Sequence, residues 1–335
     1  MASQPLIHVD DSIPGISRRA LKSGWGYYQP DGGRIADRDE IGRLNAIALP
    51  PAYRDCWFCP MPHGHILATG HDERGRKQYR YHPEFRADRE AQKYQGCASF
   101  GRALPKLRAQ LEADLSRRGL RKERTIAAVV RLLDLGRLRV GNEYYATTNK
   151  SFGATTLRRR HLDLNGRSLT LRYRAKSGKE QQLTVTDSRL LRFVRQVQDL
   201  PGQHLFQYLD EDGEARPITS SDVNAYIADA MGGPFTAKHF RTWGASTIAF
   251  ETLVAGHVSL KEMINPVAVA LGNTPAISRK SYIHPALIAL CKEGQDEWRE
   301  ELRLPRRTRY LSREERGLIA FLDTLSDCAP LAAAA

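Results

Sequence analysis

From about residue 103 the apolar residues recur every three or four positions. Leu104, Leu107, Leu111 and Leu115 form one stripe and Ile126, Val129, Val130 and Leu133 another, which predicts two amphipathic helices. Between about 155 and 187 the period drops to two. Leu162, Leu164, Leu169, Leu171 and Tyr173 alternate with polar residues around Asn165-Gly166, and Leu183 and Val185 resume after Ser177-Gly178. That pattern predicts a three-stranded meander. Helical spacing returns over Leu190 to Val197, Val223 to Ala230 and Ala237 to Val254, and Pro266 suits the first turn of a further short helix reaching Leu271.

The first 90 residues differ in character, being rich in Pro, Gly, His and aromatics. Asp37 can cap a short helix carrying Ile41, Leu44 and Ala48, ended by Pro50 and Pro51. Cys56 to Pro60, Ile66 to Thr69 and Lys77 to His82 have strand character, with Gly70 and Gly75 supplying turns. A single core seldom grows past roughly 250 to 300 residues, so 335 residues favour two domains. The expected fold is α+β: a small β-sheet domain over 1–90 and a larger, mainly helical domain over 91–335 that contains the meander. The alanines at 332–335 read as a frayed terminus.

Charge changes the picture. Hydrophobic residues are 41% and charged residues 27%, an ordinary globular balance, but the net charge is +13 and the isoelectric point about 9.7. A surface that basic calls for a polyanion, nucleic acid before an acidic membrane. The apolar runs fall short of the roughly 20 residues a membrane span needs, and the N-terminus lacks a basic flank followed by an apolar stretch. A cytoplasmic protein is expected.

Five scattered cysteines do not suit a disulfide framework. Cys56, Cys59, His63 and His65 have the ligand types for a tetrahedral zinc. The loop between the pairs is short, however, and Trp57 and Phe58 separate the cysteines, so a strand with incidental sulfurs is the preferred account.

Candidate chemistry lies in the larger part. Arg139 follows the second helix, Lys176 sits at a hairpin tip, Lys238 and Arg241 are three apart on one helix face, and Asn273 and Tyr282 bracket a loop. Each alone has a bland explanation as a solvated or packing residue. Together they carry a resemblance, in five stretches. These are Leu138-Arg139-Val140-Gly141-Asn142-Glu143, Tyr173-Arg174-Ala175-Lys176-Ser177-Gly178-Lys179, Lys238-His239-Phe240-Arg241-Thr242-Trp243, Leu271-Gly272-Asn273-Thr274-Pro275 running on to Tyr282, and Gly75-Arg76-Lys77-Gln78-Tyr79-Arg80-Tyr81. In this order they resemble the type IB DNA topoisomerases of the poxvirus and bacterial kind.

The resemblance implies relaxation of supercoiled duplex DNA by a monomer clamped around it, acting at the nucleoid. Tyr282 matches the nucleophile, Arg139 and Arg241 the two arginines on the scissile phosphate, Asn273 a third phosphate contact and Lys176 the general acid. Lys238 matches a second lysine of less defined role. Gln78, Tyr79, Tyr81, Tyr145 and Arg279 resemble DNA-contacting residues. The chemistry suits these types. Guanidiniums match oxygens that gain negative charge at the transition state. A tyrosine with a pKa near about 10 needs neighbouring cations to favour its phenolate. An alkoxide leaving group needs a positioned acid.

Asn273 departs from the histidine of the viral enzymes, since it donates a hydrogen bond but brings no charge. A modest rate difference is expected. Exchange of one phosphodiester for another needs neither ATP nor metal, and the chain has no G-x-x-x-x-G-K-[ST] loop; Asp210-Glu211-Asp212 before Gly213 reads as a turn. No cofactor is therefore expected. Two alternatives compete. Tyrosine recombinases share the Arg, Lys, Arg, Tyr set but usually carry histidine where this chain has Lys238, and a basic DNA-binding protein without activity does not account for an ordered catalytic set.

Overall fold

The computed structural model describes residues 5–198 and 200–327. The chain divides into two compact units, Met1–Lys93 and Tyr94–Ala335. In the first, strands β1 (Ile16–Ala20) and β2 (Trp25–Tyr28) precede helix α1 (Arg38–Ala46), and β3 (Arg54–Phe58), β4 (Ile66–His71) and β5 (Lys77–Tyr81) follow. They form one antiparallel sheet in the order β2-β1-β3-β4-β5. Ile16, Tyr27, Leu44, Phe58 and Ala68 make its small core against α1. The Asp37 side chain starts α1 by accepting from Asp39 N at 2.9 Å. β5 is an edge strand, which leaves Tyr79 and Tyr81 exposed.

Helix α2 (Pro83–Gln95) spans the division. The second unit continues with α3 (Cys97–Ser116), α4 (Lys122–Gly136) and α5 (Glu143–Thr148), then the meander β6 (Leu162–Asn165), β7 (Ser168–Arg174) and β8 (Glu180–Val185). After it come α6 (Ser188–Val197), the short hairpin β9 (Gln207–Leu209) and β10 (Ala215–Pro217), α7 (Ser220–Met231) and α8 (Ala237–Ala255). The remaining helices are α9 (Leu260–Leu271), α10 (Pro275–Ser281), α11 (Pro285–Lys292), α12 (Gln295–Glu301) and α13 (Arg313–Asp327). An α+β architecture with a mainly helical second unit holding a three-stranded sheet is thus present. Helix α8 is central: α3, α4, α7, α9, α11 and α13 all pack on it, and Phe240, Arg241, Trp243, Ala245, Thr247 and Phe250 are all buried.

Several expectations need correction. Ala48 lies past the end of α1 with φ +52, because the helix is already over at Ala46. Gly70 is no turn: it pairs with Gln78 inside β4. Strands β1 and β2 escaped the pattern because they bury little beyond Ile16 and Tyr27. Pro266 stands in the middle of α9, whose start is set earlier by a reciprocal cap in which Ser259 N donates to Glu262 Oε2 at 2.8 Å. The segment between Asn273 and Tyr282 is not a loop but α10, capped by Thr274 with Pro275 in its first turn. Cys328 and the alanine tail lie outside the described residues.

One buried ion cluster ties four helices together. Arg108 on α3 donates to Asp134 of α4 at 2.9 and 3.0 Å and to Glu315 of α13 at 2.8 and 2.9 Å, and Trp243 Nε1 of α8 reaches Glu315 at 3.3 Å. The Arg108 side chain is 16% exposed and that of Asp134 4%. Removing the cation takes the main partner from two buried carboxylates and leaves them only Arg131, Ser312 N and Trp243, so Arg108→Ala should cost about 3 kcal/mol and lower the melting temperature by roughly 10 °C. Burial alone would raise the Glu315 pKa, but the Arg108 hydrogen bond and charge outweigh it and hold the carboxyl below its ordinary 4.5. A depressed carboxyl contributes stability above its unfolded value, lost as pH falls through the folded one. Denaturant titrations at neutral pH and below about pH 4.5 should show the gap between parent and Arg108→Ala narrowing as pH falls.

Candidate active site

Arg139 lies on an extended segment that α4 releases at Arg137, whose left-handed φ of +53 turns the chain out of the helix. The backbone there is clamped. Ala154 N donates to Arg139 O at 2.9 Å and Thr155 N to Val140 O at 2.7 Å. Gly141 has φ +100, and a methyl on Gly153 would stand 2.6 Å from both Arg139 O and Gly141 Cα, so only glycine permits this approach. From that base the half-buried Arg139 side chain sends Nη2 to Asn273 Oδ1 at 3.0 Å.

Arg241 projects from α8 and is 5% exposed. Two backbone carbonyls hold it: Nη1 donates to Arg137 O at 2.6 Å and Nη2 to Leu271 O at 3.2 Å. Its guanidinium carbon lies 4.8 Å from the centroid of the Tyr282 ring. Burial, and after it the Arg139 charge nearby, pulls the Arg241 pKa below the ordinary arginine value. Guanidinium stays charged even so. Tyr173 on β7, close enough to feel both cations, is pushed up to about 12 by its own burial and remains a neutral phenol.

Asn273 follows the α9 cap Gly272, whose φ of +62 reverses the chain, and its own N–H closes the cap on Ala268 O at 3.0 Å. Because Oδ1 accepts from Arg139, the amide points Nδ2 the other way. That nitrogen is buried without a partner, as is Nε of Arg241. Tyr282 is the C-cap of α10, half-buried, with its N–H on Ser278 O at 3.1 Å. Arg139, Arg241, Asn273 and Tyr282 therefore form one connected group. Among the described residues no carboxylate pairs with either arginine. Arg108, by contrast, is held between two acids, Asp134 and Glu315.

The two lysines stand apart from this group. Lys176 occupies the exposed tip between β7 and β8, beside Ser177 at φ +65, and Lys238 faces outward from α8 while Arg241, three residues on, points inward. Neither makes a hydrogen bond or ion pair among the described residues. The expected shared face of Lys238 and Arg241 thus does not give them a shared environment. Tyr145 on α5 is 42% exposed and Arg279 on α10 is exposed, both in the second unit. In the first unit Gln78 donates to Asp72 Oδ2 at 3.0 Å, and the Tyr79 and Tyr81 rings lie parallel, 5.8 Å apart.

Sequence reasoning missed Arg137, whose contribution is a carbonyl, and Gly153, whose contribution is the lack of a side chain. Neither has a sequence signature. Cys59 is buried in the first unit, Cys56 half-buried, and among the described residues no three His, Cys, Asp or Glu side chains converge as metal ligands. No helix among those residues is long and apolar enough to cross a membrane.

Residues 82–302 match the family model described as eukaryotic DNA topoisomerase I, catalytic core, and residues 24–72 match that of bacterial DNA topoisomerase IB, N-terminal domain. DNA topoisomerase 1B of Acanthamoeba polyphaga mimivirus is 31% identical over 287 residues, 81% of this chain and 85% of that protein. Among solved structures, the XerH site-specific recombinase bound to difH substrate, in a pre-cleavage complex, is 16% identical with a TM-score of 0.36 over 52% of this chain and 48% of that one. A post-cleavage complex with palindromic difH is 15% identical with a TM-score of 0.37 over 59% and 51%. The chain spans about half of those recombinase chains, and so loose a likeness supports nothing further. The family models and the viral relative do, and by them this chain belongs to the type IB DNA topoisomerases.

Proposed function

We propose that the chain relaxes supercoiled duplex DNA by cutting and rejoining one strand through a 3′-phosphotyrosyl intermediate, without ATP or metal, as a monomer on intracellular DNA. The observation that carries the reading is the pair of mutually close, acid-free arginines beside Tyr282, with two buried donors, Arg241 Nε and Asn273 Nδ2, still unspent. Buried donors without acceptors are costly, and an anion with several oxygens satisfies both at once. A phosphodiester fits that description.

In the reaction, the Tyr282 oxygen attacks phosphorus as its proton passes to solvent, and a new P–O bond to tyrosine forms. Arg139, Arg241 and Asn273 hold the nonbridging oxygens as charge gathers on them. The P–O bond to the 5′-carbon side breaks, and Lys176 supplies the proton that the leaving oxygen needs. Its exposed hairpin tip, with no hydrogen-bond or ion-pair partner among the described residues, lets it meet DNA on binding. Lys238 assists the phosphate from the outer face of α8. Rejoining runs the same steps backwards, so bond energy is conserved in the tyrosyl ester. Gln78, Tyr79 and Tyr81 grip DNA through the first unit, and Tyr145 and Arg279 through the second; affinity then falls steeply with salt.

Incubation with negatively supercoiled plasmid in chelator and without ATP should yield a ladder of topoisomers. Unchanged supercoils would overturn the reading. Tyr282→Phe should bind the plasmid but give no denaturant-trapped covalent complex, and a residual complex at the parental level would remove Tyr282 from its role. For Asn273, replacement by Ala should slow single-turnover cleavage on the order of a hundredfold or more, while Asn273→His should keep or raise it. Complete loss in a folded Asn273→His protein contradicts the role of phosphate donor.

A further inference from the structure

Glycine in a helix interior is less favourable than alanine, because it gives up more backbone freedom. Gly244 nonetheless stands inside the 19-residue helix α8, one turn beyond Arg241. Its surroundings supply the reason. A methyl group built there would lie 2.5 Å from Nε, 2.6 Å from Cδ and 2.8 Å from Cγ of Arg137. These are atoms of the middle of the side chain, so turning the guanidinium end does not clear the overlap. The Arg137 stem lies flat against α8 at the one place where that helix has no side chain.

Arg137 is also the residue whose carbonyl accepts from Arg241 Nη1 at 2.6 Å. That carbonyl is aimed by the left-handed C-cap geometry of α4, φ +53 and ψ +31, a conformation that residues other than glycine adopt at a cost. The Arg137 guanidinium makes little hydrogen bonding of its own: Nε is buried without a partner, Nη1 reaches Leu135 O only at 3.4 Å, and Glu251 of α8 lies near enough to feel its charge without a hydrogen bond to it. Packing on Gly244, not hydrogen bonding, orients it.

We propose that Arg137 and Gly244 form a keyed pair that positions Arg241 for the scissile phosphate. The side chain of Arg137 seats on α8 at Gly244, its carbonyl returns to α8 at Arg241, and the two contacts one turn apart fix the guanidinium relative to Tyr282. Arg137 is a positioning residue; the phosphate is touched by Arg241. The inference rests on the phosphate-binding role proposed for Arg241 and adds to it what sets that side chain's place.

The test is Gly244→Ala. Alanine favours the helix, so folding, followed by thermal melting, should survive. Single-turnover formation of the covalent DNA complex at saturating protein should fall on the order of tenfold to a hundredfold, as small misplacements of catalytic groups do. Affinity for the same duplex, measured in the Tyr282→Phe background, should stay within about threefold, since Arg241 still carries its charge. The second variant is Arg137→Gly with Gly244→Ala: glycine accepts the left-handed cap, keeps the carbonyl and removes the overlapping stem. It should restore cleavage to the rate of Arg137→Gly alone.

A cavity of about 460 Å³ beside Arg137, also lined by Arg108 and Arg131, offers the displaced stem another course. If the stem swings there and leaves the carbonyl in place, Gly244→Ala cleaves at the parental rate and the proposal falls. A double variant as slow as Gly244→Ala also overturns it. Should Gly244→Ala fail to fold, the double variant must fold and match Arg137→Gly, or the pair is not keyed. Arg241→Ala separates the two levels: if it cleaves normally, the phosphate role fails, whereas a dead Arg241→Ala beside a fully active Gly244→Ala removes the keyed pair alone.

Discussion

A buried guanidinium without a carboxylate is the constraint on which the catalytic unit turns. Moving a charge out of water costs several kcal/mol even after relaxation, and Arg241 recovers only part of that from the carbonyls of Arg137 and Leu271. Arg139 adds repulsion. Both carbonyls belong to helix ends, the C-cap of α4 and the last residue of α9, where backbone acceptors have no helical partner of their own. Two helices and a third that carries the arginine must therefore meet at fixed separations before the charge is tolerable at all.

That requirement explains features which otherwise look unrelated. α8 is buried nearly all round over its middle turns because it runs through the centre of the unit, with its single buried arginine at the point where two helices end. Left-handed or glycine geometry recurs at the ends of those helices, at Arg137 and Gly272, because each chain must reverse at once to leave its carbonyl free for a side chain. The Arg108 cluster joins α3, α4, α8 and α13 within the same assembly. There the charges are matched. At the site, among the described residues, they are left unmatched.

Much of this was legible from the order of residues. The switch of hydrophobic period from three-and-four to two and back marked the meander and the helices on either side, since burial of one face imposes its period on the chain. The ordered stretches around Arg139, Lys176, Arg241, Asn273 and Tyr282 pointed to the family. Short elements were less visible: β1 and β2 bury too few residues to show a period, and α10 is a seven-residue helix whose Thr274-Pro275 start resembles any turn. Pro266 misled because proline is commoner at helix starts, and the Ser259–Glu262 cap outweighed it.

The sequence by itself determined the secondary-structure periods and the basic charge, because these are properties of composition and spacing, and its ordered stretches carried the resemblance to the family. Only the tertiary structure decided which of those residues meet. Arg139 reaches Asn273 across 134 positions, and Arg241 rests on a carbonyl 104 positions away; contacts of that span are fixed by helix packing and not by local propensity. It also separated Lys238 from Arg241: three residues along a helix leave two side chains about 60° apart on one face, and the packing of the neighbouring helices covers Arg241 and not Lys238. And it gave Arg137 and Gly244 their part, which no pattern could carry, since one acts through its backbone and the other through the absence of a side chain.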